Sequence, residues 1–359
     1  MAPLNQSSEY AAQSLSRITP DFRIAELGNV DARQITDKLK VLKELISSSE
    51  TMYPNIVRWF DEKVVPGLRS SERVAYIGYV GTTPVASAIL KLGENAKFCH
   101  LRIHGDFQDH DIGQMFFTQM TLEARHRAKE IHFTLPEGLW SEKRHFFESF
   151  GFSSPVKALR QYRHGETELA CSAPLKKVWM AAQNRLPKLM GKFSVGGYSL
   201  DKSILLSIKP KYAEQILSGI KLVEIRRRFS YRWIGSRVVI YASRPVSALL
   251  GEATITNVTN ASPIDVWNRF GKSLGCSLEE LLTYSGSLNE ISAVELGHII
   301  PYRAPVTLSQ LSYLVDADLR PPQSYCDLRL DSGNAWTRAA WIASLLHGRV
   351  HAAIQGINR

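Results

Sequence analysis

The sequence predicts an α+β protein in two parts: a mixed sheet with helices in the first half, then a second group of short strands and a helical C-terminal extension. Three observations carry this. The first half runs strand, strand, helix, strand with a parallel crossover; short strands resume near residue 200; and between Lys176 and Leu200 the chain turns basic and glycine-containing and loses periodicity after Met190. The expected division is a tail over 1–20, a first domain over 21–175, a linker over 176–199, a second domain over 200–315 and an extension over 316–359.

The 359 residues suffice for two domains that each bury a core. A formal charge of +10 favours an anionic partner such as nucleic acid or CoA. Cys99, Cys171, Cys276 and Cys326 form no CxxC pair, so neither a disulfide framework nor a zinc site is expected, and a reducing cytoplasm fits best. No apolar run approaches the roughly 18 residues of a membrane span, so no membrane partner is expected.

In the first half, Leu39, Leu42, Leu45 and Ile46 recur at helical spacing, and a second helix is expected over Tyr53–Val65. "RVAYIGYV" and "PVASAILKL" flank the turn "GTTP" and read as a hairpin. A strand follows from Lys97, then a loop, a helix with Ile112, Met115, Phe116 and Met120 on one face, and a strand over Glu130–Leu135. A glycine where a strand opens into a helix lets free N–H groups and the helix dipole hold a phosphate.

With "FFESFGF" at Phe146–Phe152, this order resembles the GNAT family of acyl-CoA-dependent N-acyltransferases, over about Ala25 to Leu175. The resemblance implies acetyl-CoA as co-substrate, held by Leu101, Ile103, Gln108, Ile112, Gly113 and Gln114. The family's Arg/Gln-x-x-Gly-x-Gly/Ala motif reads Gln108 to Gly113 here, with Asp111 in place of the middle glycine, a carboxylate that would repel phosphate. Where the family often has a proton-donating tyrosine, this chain has Phe147. Candidate proton-transfer groups are His100, Glu142, His145 and Tyr162. A histidine has the right ordinary pKa for a base, although one on a strand is more often a hydrogen-bonded structural residue.

The second half opens with a strand at "SILLSIKP", a helix from Pro210 to Leu217 and a helix stop at Gly219. Gly219, Lys221, Glu224 and Arg226 fit GxKxxExR, which resembles the signature of the ASCH domain, a PUA-like β-barrel, over about Leu200 to Leu311. Two strands around Ser243 and Pro245, a helix at "SPIDVWNRF" and a closing strand with Pro305 complete the match. Strand alternation from Lys221 puts Leu222, Glu224 and Arg226 on one face and Lys221, Val223 and Ile225 on the other.

From Asp201 to Pro245 ten Lys or Arg face three acids. That excess, with Phe229, Tyr231, Trp233 and Tyr241 interleaved, suits single-stranded RNA, unless the aromatics fill the barrel. The RNA-binding candidates are Lys209, Lys221, Glu224, Arg226, Arg227, Arg228, Tyr241 and Ser243. The extension carries Trp336, Ala340, Ala343, Leu346 and Val350 as a helical stripe, which either docks on one domain or forms a homodimer contact.

Together these resemblances imply an N-acyltransferase acting on RNA, aminoacyl-RNA or a nucleotide-linked amine, in a fusion group allied to toxin–antitoxin systems. Two alternatives stay open: a non-catalytic RNA-binding regulator with a degenerate transferase fold, supported by Asp111 and Phe147, and an ASCH-type ribonuclease working through Lys221.

Overall fold

The computed structural model describes residues 22–27, 32–108, 111–160, 162, 165–190, 194–195, 198–199, 202–329 and 334–347. The expected N-terminal tail, Asp109, His110 and Val350 lie outside them.

The first half contains β1 (Phe22–Leu27), α1 (Ala32–Ser47), then α2 (Ile56–Trp59), which passes through a π-helical turn (Phe60–Val64) into α3 (Val65–Arg69). There follow β2 (Arg73–Val80), β3 (Thr83–Lys91), β4 (Asn95–Ile103), α4 (Ile112–Ala124), β5 (Glu130–Pro136), α5 (Glu137–Ser149), β6 (Val156–Lys157), β7 (Glu168–Pro174) and α6 (Leu175–Met190). The sheet order is β1-β2-β3-β4-β5-β7-β6, all neighbours antiparallel except β4 and β5. Alternation along β2 sends Val74 and Tyr76 toward α4, and Ala75, Ile77 and Tyr79 toward α1 and the π turn. The sheet is thus covered on both faces.

Two features open this sheet at its centre. The β4–β5 ladder stops after Lys97↔His132, although β4 continues to Ile103 and β5 to Pro136. Opposite β3, the register steps from Ile89↔His100 to Leu90↔Phe98, so Cys99 is an extra residue bulged out of β4. The bulge puts His100 and Arg102 on the α1 side, where they meet Ser87 and Ser49, while Leu101 and Ile103 pack on the α4 side.

After a short hairpin of β8 (Ser194–Val195) and β9 (Tyr198–Ser199), the second half contains β10 (Ser203–Ile208), α7 (Pro210–Leu217), β11 (Val223–Arg226), β12 (Arg237–Ala242), β13 (Ala248–Ala261), α8 (Pro263–Phe270), α9 (Leu278–Ser285), β14 (Ile291–Thr307), α10 (Leu308–Val315), β15 (Tyr325–Asp327) and α11 (Ala335–His347). Its sheet runs β11-β14-β13-β12-β10-β15, a half-barrel in which β10 and β12 are parallel. The long strands β13 and β14 curl through three register shifts, and at Gly251 the backbone passes so close to Ile300 that a Cβ would not fit.

Ile204, Leu206, Val238, Ile240 and Trp233 fill the barrel. The alternate residues Leu205, Val239 and Tyr241 point outward into the core of the first half, through α6, α10 and α11. One apolar core therefore joins the two halves. Trp179 of α6 donates its ring N–H to Leu314 O at 2.9 Å, and Arg125 lies between the Trp179 and Tyr313 rings at 4.9 and 5.0 Å.

Several expectations change here. Residues 176–190 of the expected linker lie in α6 (Leu175–Met190), with Val178, Trp179, Ala182 and Leu186 buried; its basic residues ride the outside of a helix whose other side is apolar. The C-terminal helix docks within the chain, against α6, α10 and β14, with Trp336, Ala340 and Ala343 buried. Arg237 carries the junction inward: fully buried, it makes two bonds of 2.7 and 2.8 Å to Glu252, which also accepts from Tyr302 Oη, and it lies 3.8 Å from the Trp341 ring centre. Tyr241, read as an RNA-stacking candidate, is buried against Trp336. Phe229 and Trp233 are buried as well, and Tyr231 alone of that aromatic set is exposed.

Candidate functional site

The opening stretch of β11 is built by its flanks. Gly219 takes φ +76 after α7, a left-handed conformation that reverses the chain. Lys221 N–H then bonds Gln215 O at 2.9 Å and Leu222 N–H bonds Ser273 O at 3.0 Å, which clamps the loop between α7 and the turn after α8. At Gly275 a Cβ would collide with Gln215 and press on Lys221 Cβ, so a glycine there leaves the lysine its space.

The lysine turns inward. Lys221 Nζ donates to Val223 O at 2.7 Å and Leu274 O at 2.6 Å, and lies 3.5 Å from Glu224 Oε2. Glu224 Oε1 is 3.3 Å from Arg226 Nη2, which itself donates to Ser207 O at 3.0 Å, while Nη1 reaches Ser324 at 3.4 Å. The result is a row of cation, anion and cation, each under a tenth exposed. Val223 and Ile225 take the opposite face, into a small core with Val266, Leu274 and Leu281.

This corrects the expected alternation. The ladder begins at Val223, so Lys221 precedes the strand and is free to bend back to Glu224 instead of sharing a face with Val223 and Ile225. Two polar atoms in or beside the row have no hydrogen-bond partner: Arg226 Nε and Gln215 Oε1. They can serve a ligand as one donor and one acceptor.

Around the row stand groups that the sequence did not single out. The Tyr212 ring lies 5.2 Å from Lys221 Nζ and 5.4 Å from Lys211 Nζ. Burial, with Glu280 nearby, raises the Tyr212 phenol, and burial pushes the Cys276 thiol up against the pull of Lys221. Tyr212 sits nine residues before Lys221, and only the end of α7 brings the two together. Lys209 is exposed as the cap of α7, Lys211 pairs with Glu280 at 3.2 Å, Arg227 and Arg228 are exposed, and Ser243 donates its N–H to Ile208 O.

In the first half the candidates do not converge. His100 is half-buried, with Nε2 2.9 Å from Ser87 Oγ, and burial with the Arg102 guanidinium pushes its pKa down to about 4. A group that weakly basic is poorly matched to deprotonating an amine. Glu142 and His145 are exposed on α5, where Glu142 pairs with Lys143 at 3.0 Å. Tyr162 packs edge-on against Tyr53, with ring centres 6.2 Å apart. Phe147 stacks on Trp140 at 5.5 Å, inside an aromatic cluster around Phe117 and Phe133.

The proposed phosphate loop is clearer. Gln108 Nε2 donates to Ile103 O at 3.1 Å, and the hydrogen at Gly113 faces Ile103 Cδ1, which a Cβ would meet at 3.4 Å. Asp111 caps α4 at φ +60, with its carboxylate accepting from Gln114 Nε2. The first-turn N–H groups of a helix have no carbonyl four residues back, so α4 presents free donors at its start.

Comparison with known proteins distinguishes the two halves. A family described as a domain of unknown function (DUF365) matches residues 202–315. An ASCH domain-containing ribonuclease of Zymomonas mobilis subsp. mobilis is 33% identical over 128 residues, 36% of this chain and 85% of the relative. The crystal structure of ASCH from Zymomonas mobilis is 30% identical, with a TM-score of 0.35, over 38% of this chain and 93% of that one. For the first half, an acetyltransferase of the GNAT family from Desulfovibrio desulfuricans is 13% identical, with a TM-score of 0.35, over 42% of this chain and 99% of that one. Through its second half, with the row from Lys221 to Arg226, the chain belongs to the ASCH-domain family.

Proposed function

We propose that this chain acts on RNA through its ASCH domain, which holds a single strand on its basic face and supports its cleavage. The observation that carries this is the buried row Lys221–Glu224–Arg226, in a domain one-third identical to a ribonuclease. Cleavage by a 2′-oxygen forms a new P–O2′ bond as the hydroxyl proton passes to water, breaks the P–O5′ bond as the leaving oxygen takes a proton from water, and builds negative charge on the phosphoryl oxygens. A cation held in place beforehand stabilises that charge most effectively. Lys221 has two short bonds to carbonyls and one longer contact to Glu224, so Glu224 is the partner a phosphate would displace.

The test is cleavage of a defined single-stranded RNA in EDTA by wild type, Lys221→Met and Glu224→Gln. Loss of Lys221 is expected to slow cleavage by about a hundredfold. Equal rates for wild type and a folded Lys221→Met would overturn the assignment.

A second reading concerns the first half, where the β4–β5 separation and the glycine at the start of α4 favour an acyl-CoA-dependent N-acyltransferase acting on RNA, aminoacyl-RNA or a nucleotide-linked amine. Acetyl-CoA would supply the activated acyl group. Leu101 and Ile103 would line the separation, and the N–H groups of Ile112, Gly113 and Gln114 would hold the diphosphate. Calorimetric titration with acetyl-CoA and desulfo-CoA checks it: micromolar binding by wild type and its loss in Gly113→Glu are expected, and binding that survives the substitution would misplace the loop.

A further inference from the structure

Beyond Arg226 the chain leaves the sheet and frames a cavity of about 260 Å³, lined by Arg227, Arg228, Asn260, Leu288, Glu290 and Ser292, with Phe229 and Ile291 at its back. Three segments meet there. Asn260 and Ser292 are paired across β13 and β14, Arg226 is paired with Ser292 across β11, and Glu290 sits just ahead of β14. The cavity therefore stands at one end of β11, and the buried Lys221 row leads to it.

Its polar groups divide by type. Arg227 and Arg228 are exposed cations at the rim, and Arg227 is steadied by the Tyr284 ring at 5.6 Å. In its wall, Asn260 Oδ1 is buried without a hydrogen-bond partner, and the Glu290 carboxylate, at an exposed lining position, offers further acceptors. Ser292 Oγ already accepts from Phe229 N–H at 2.9 Å, so its lone pairs are partly committed. A buried acceptor left unpaired costs free energy, which a ligand donor would recover.

We propose that this cavity is a nucleotide subsite of the ASCH domain, selecting a base with an exocyclic amino group while Arg227 and Arg228 hold its phosphate. The proposal rests on the RNA reading above and extends it to sequence preference. The volume is below the roughly 300 Å³ at which drug-sized ligand sites begin, so it suits one nucleotide of a strand better than a free dinucleotide. Acceptors from Asn260 and Glu290, which line the same cavity, match the amino groups of cytosine and adenine, and uracil presents a carbonyl at that position. Arginine forks fit phosphate oxygens. The strand Val223–Arg226 between the Lys221 turn and the cavity spans about 10 Å, long enough for the subsite to receive a nucleotide near one at Lys221.

The experiment is fluorescence anisotropy of the full chain with 5′-labelled rC8, rA8 and rU8 over a range of salt. Wild type is expected to bind rC8 and rA8 about tenfold more tightly than rU8. Glu290→Gln and Asn260→Leu should each reduce that preference and leave rU8 affinity nearly unchanged, whereas Arg228→Gln should weaken all three and lower the salt slope by about one. Thermal unfolding of each variant confirms that it is folded, and Glu290→Gln, at an exposed position, serves if Asn260→Leu is not. Equal binding of the three oligonucleotides by wild type, unaltered in Glu290→Gln, would overturn the subsite and leave RNA binding standing. No binding of any oligonucleotide at low salt would overturn both.

Discussion

In the half-barrel, three charges from six consecutive residues stand in series at 3.5 and 3.3 Å; in the N-terminal sheet, the four proton-transfer candidates are spread over β4, α5 and the segment after β6. The barrel builds its site locally, with a glycine turn, an inward lysine and one strand. The sheet opens a space by ending the β4–β5 ladder early, and the candidate groups lie apart on distant segments. A short motif therefore marks the first kind of site, and only topology marks the second.

The largest expected effect tests whether the two halves stand or fall together. Arg237 and Glu252 are fully buried partners, and Arg237 also lies against Trp341 of α11 and donates to Ala340 O at 3.3 Å. Replacing Glu252 by Gln leaves a buried guanidinium without its counter-ion, so about 3–5 kcal/mol of stability should be lost in urea unfolding. Because one apolar core crosses the junction, a single transition is expected, and separate transitions for the two halves would break the unity drawn from that core.

These contacts also show what could be read in the sequence. The GxKxxExR spacing located Lys221, Glu224 and Arg226 because all three fall within one turn and one strand. It placed Lys221 on the wrong face because alternation holds only inside a ladder, and the ladder starts two residues later. Cys276 comes near Lys221 by packing between elements far apart in sequence, for which no spacing rule exists, and Tyr212, only nine residues before Lys221, reaches it through a helix end that the motif spacing does not cover. The outward burial of Tyr241 and the role of α6 were hidden for the same reason: an aromatic or basic stretch looks alike whether its other face meets water or a second domain.

A second prediction sharpens the contrast through pH. In the fold the His100 and His347 pKa values fall from 6.5 to about 4, in each case chiefly through burial. Between pH 6.5 and 4 the unfolded chain binds protons that the folded chain refuses, so each histidine makes stability fall as pH falls through this window. Glu26, raised by burial to about 7, works in the opposite sense: it favours the fold at low pH and loses that contribution as pH rises from 4.5 to 7. Each shift is worth at most about 3 kcal/mol. His100→Gln should remove one rising component, and Glu26→Gln should steepen the rise of stability with pH. If His100→Gln leaves the pH profile of urea stability unchanged, His100 is open to water, and its suitability as a base must be reconsidered.

The smallest effect lies at the turn that makes the barrel site local. No atom lies within 4 Å of where a Cβ would stand at Gly219, so substitution there strains the backbone at φ +76 and crowds nothing. Gly219→Ala should cost about 1 kcal/mol, and Gly219→Asn less, because asparagine tolerates the left-handed region better. If the turn matters only for stability, RNA cleavage by both folded variants will match wild type. If it aims Lys221, cleavage will fall in Ala and partly recover in Asn, in the order of their strain. Equal loss in both would mean that the position serves the substrate directly, since a side chain of either kind would then obstruct the same approach.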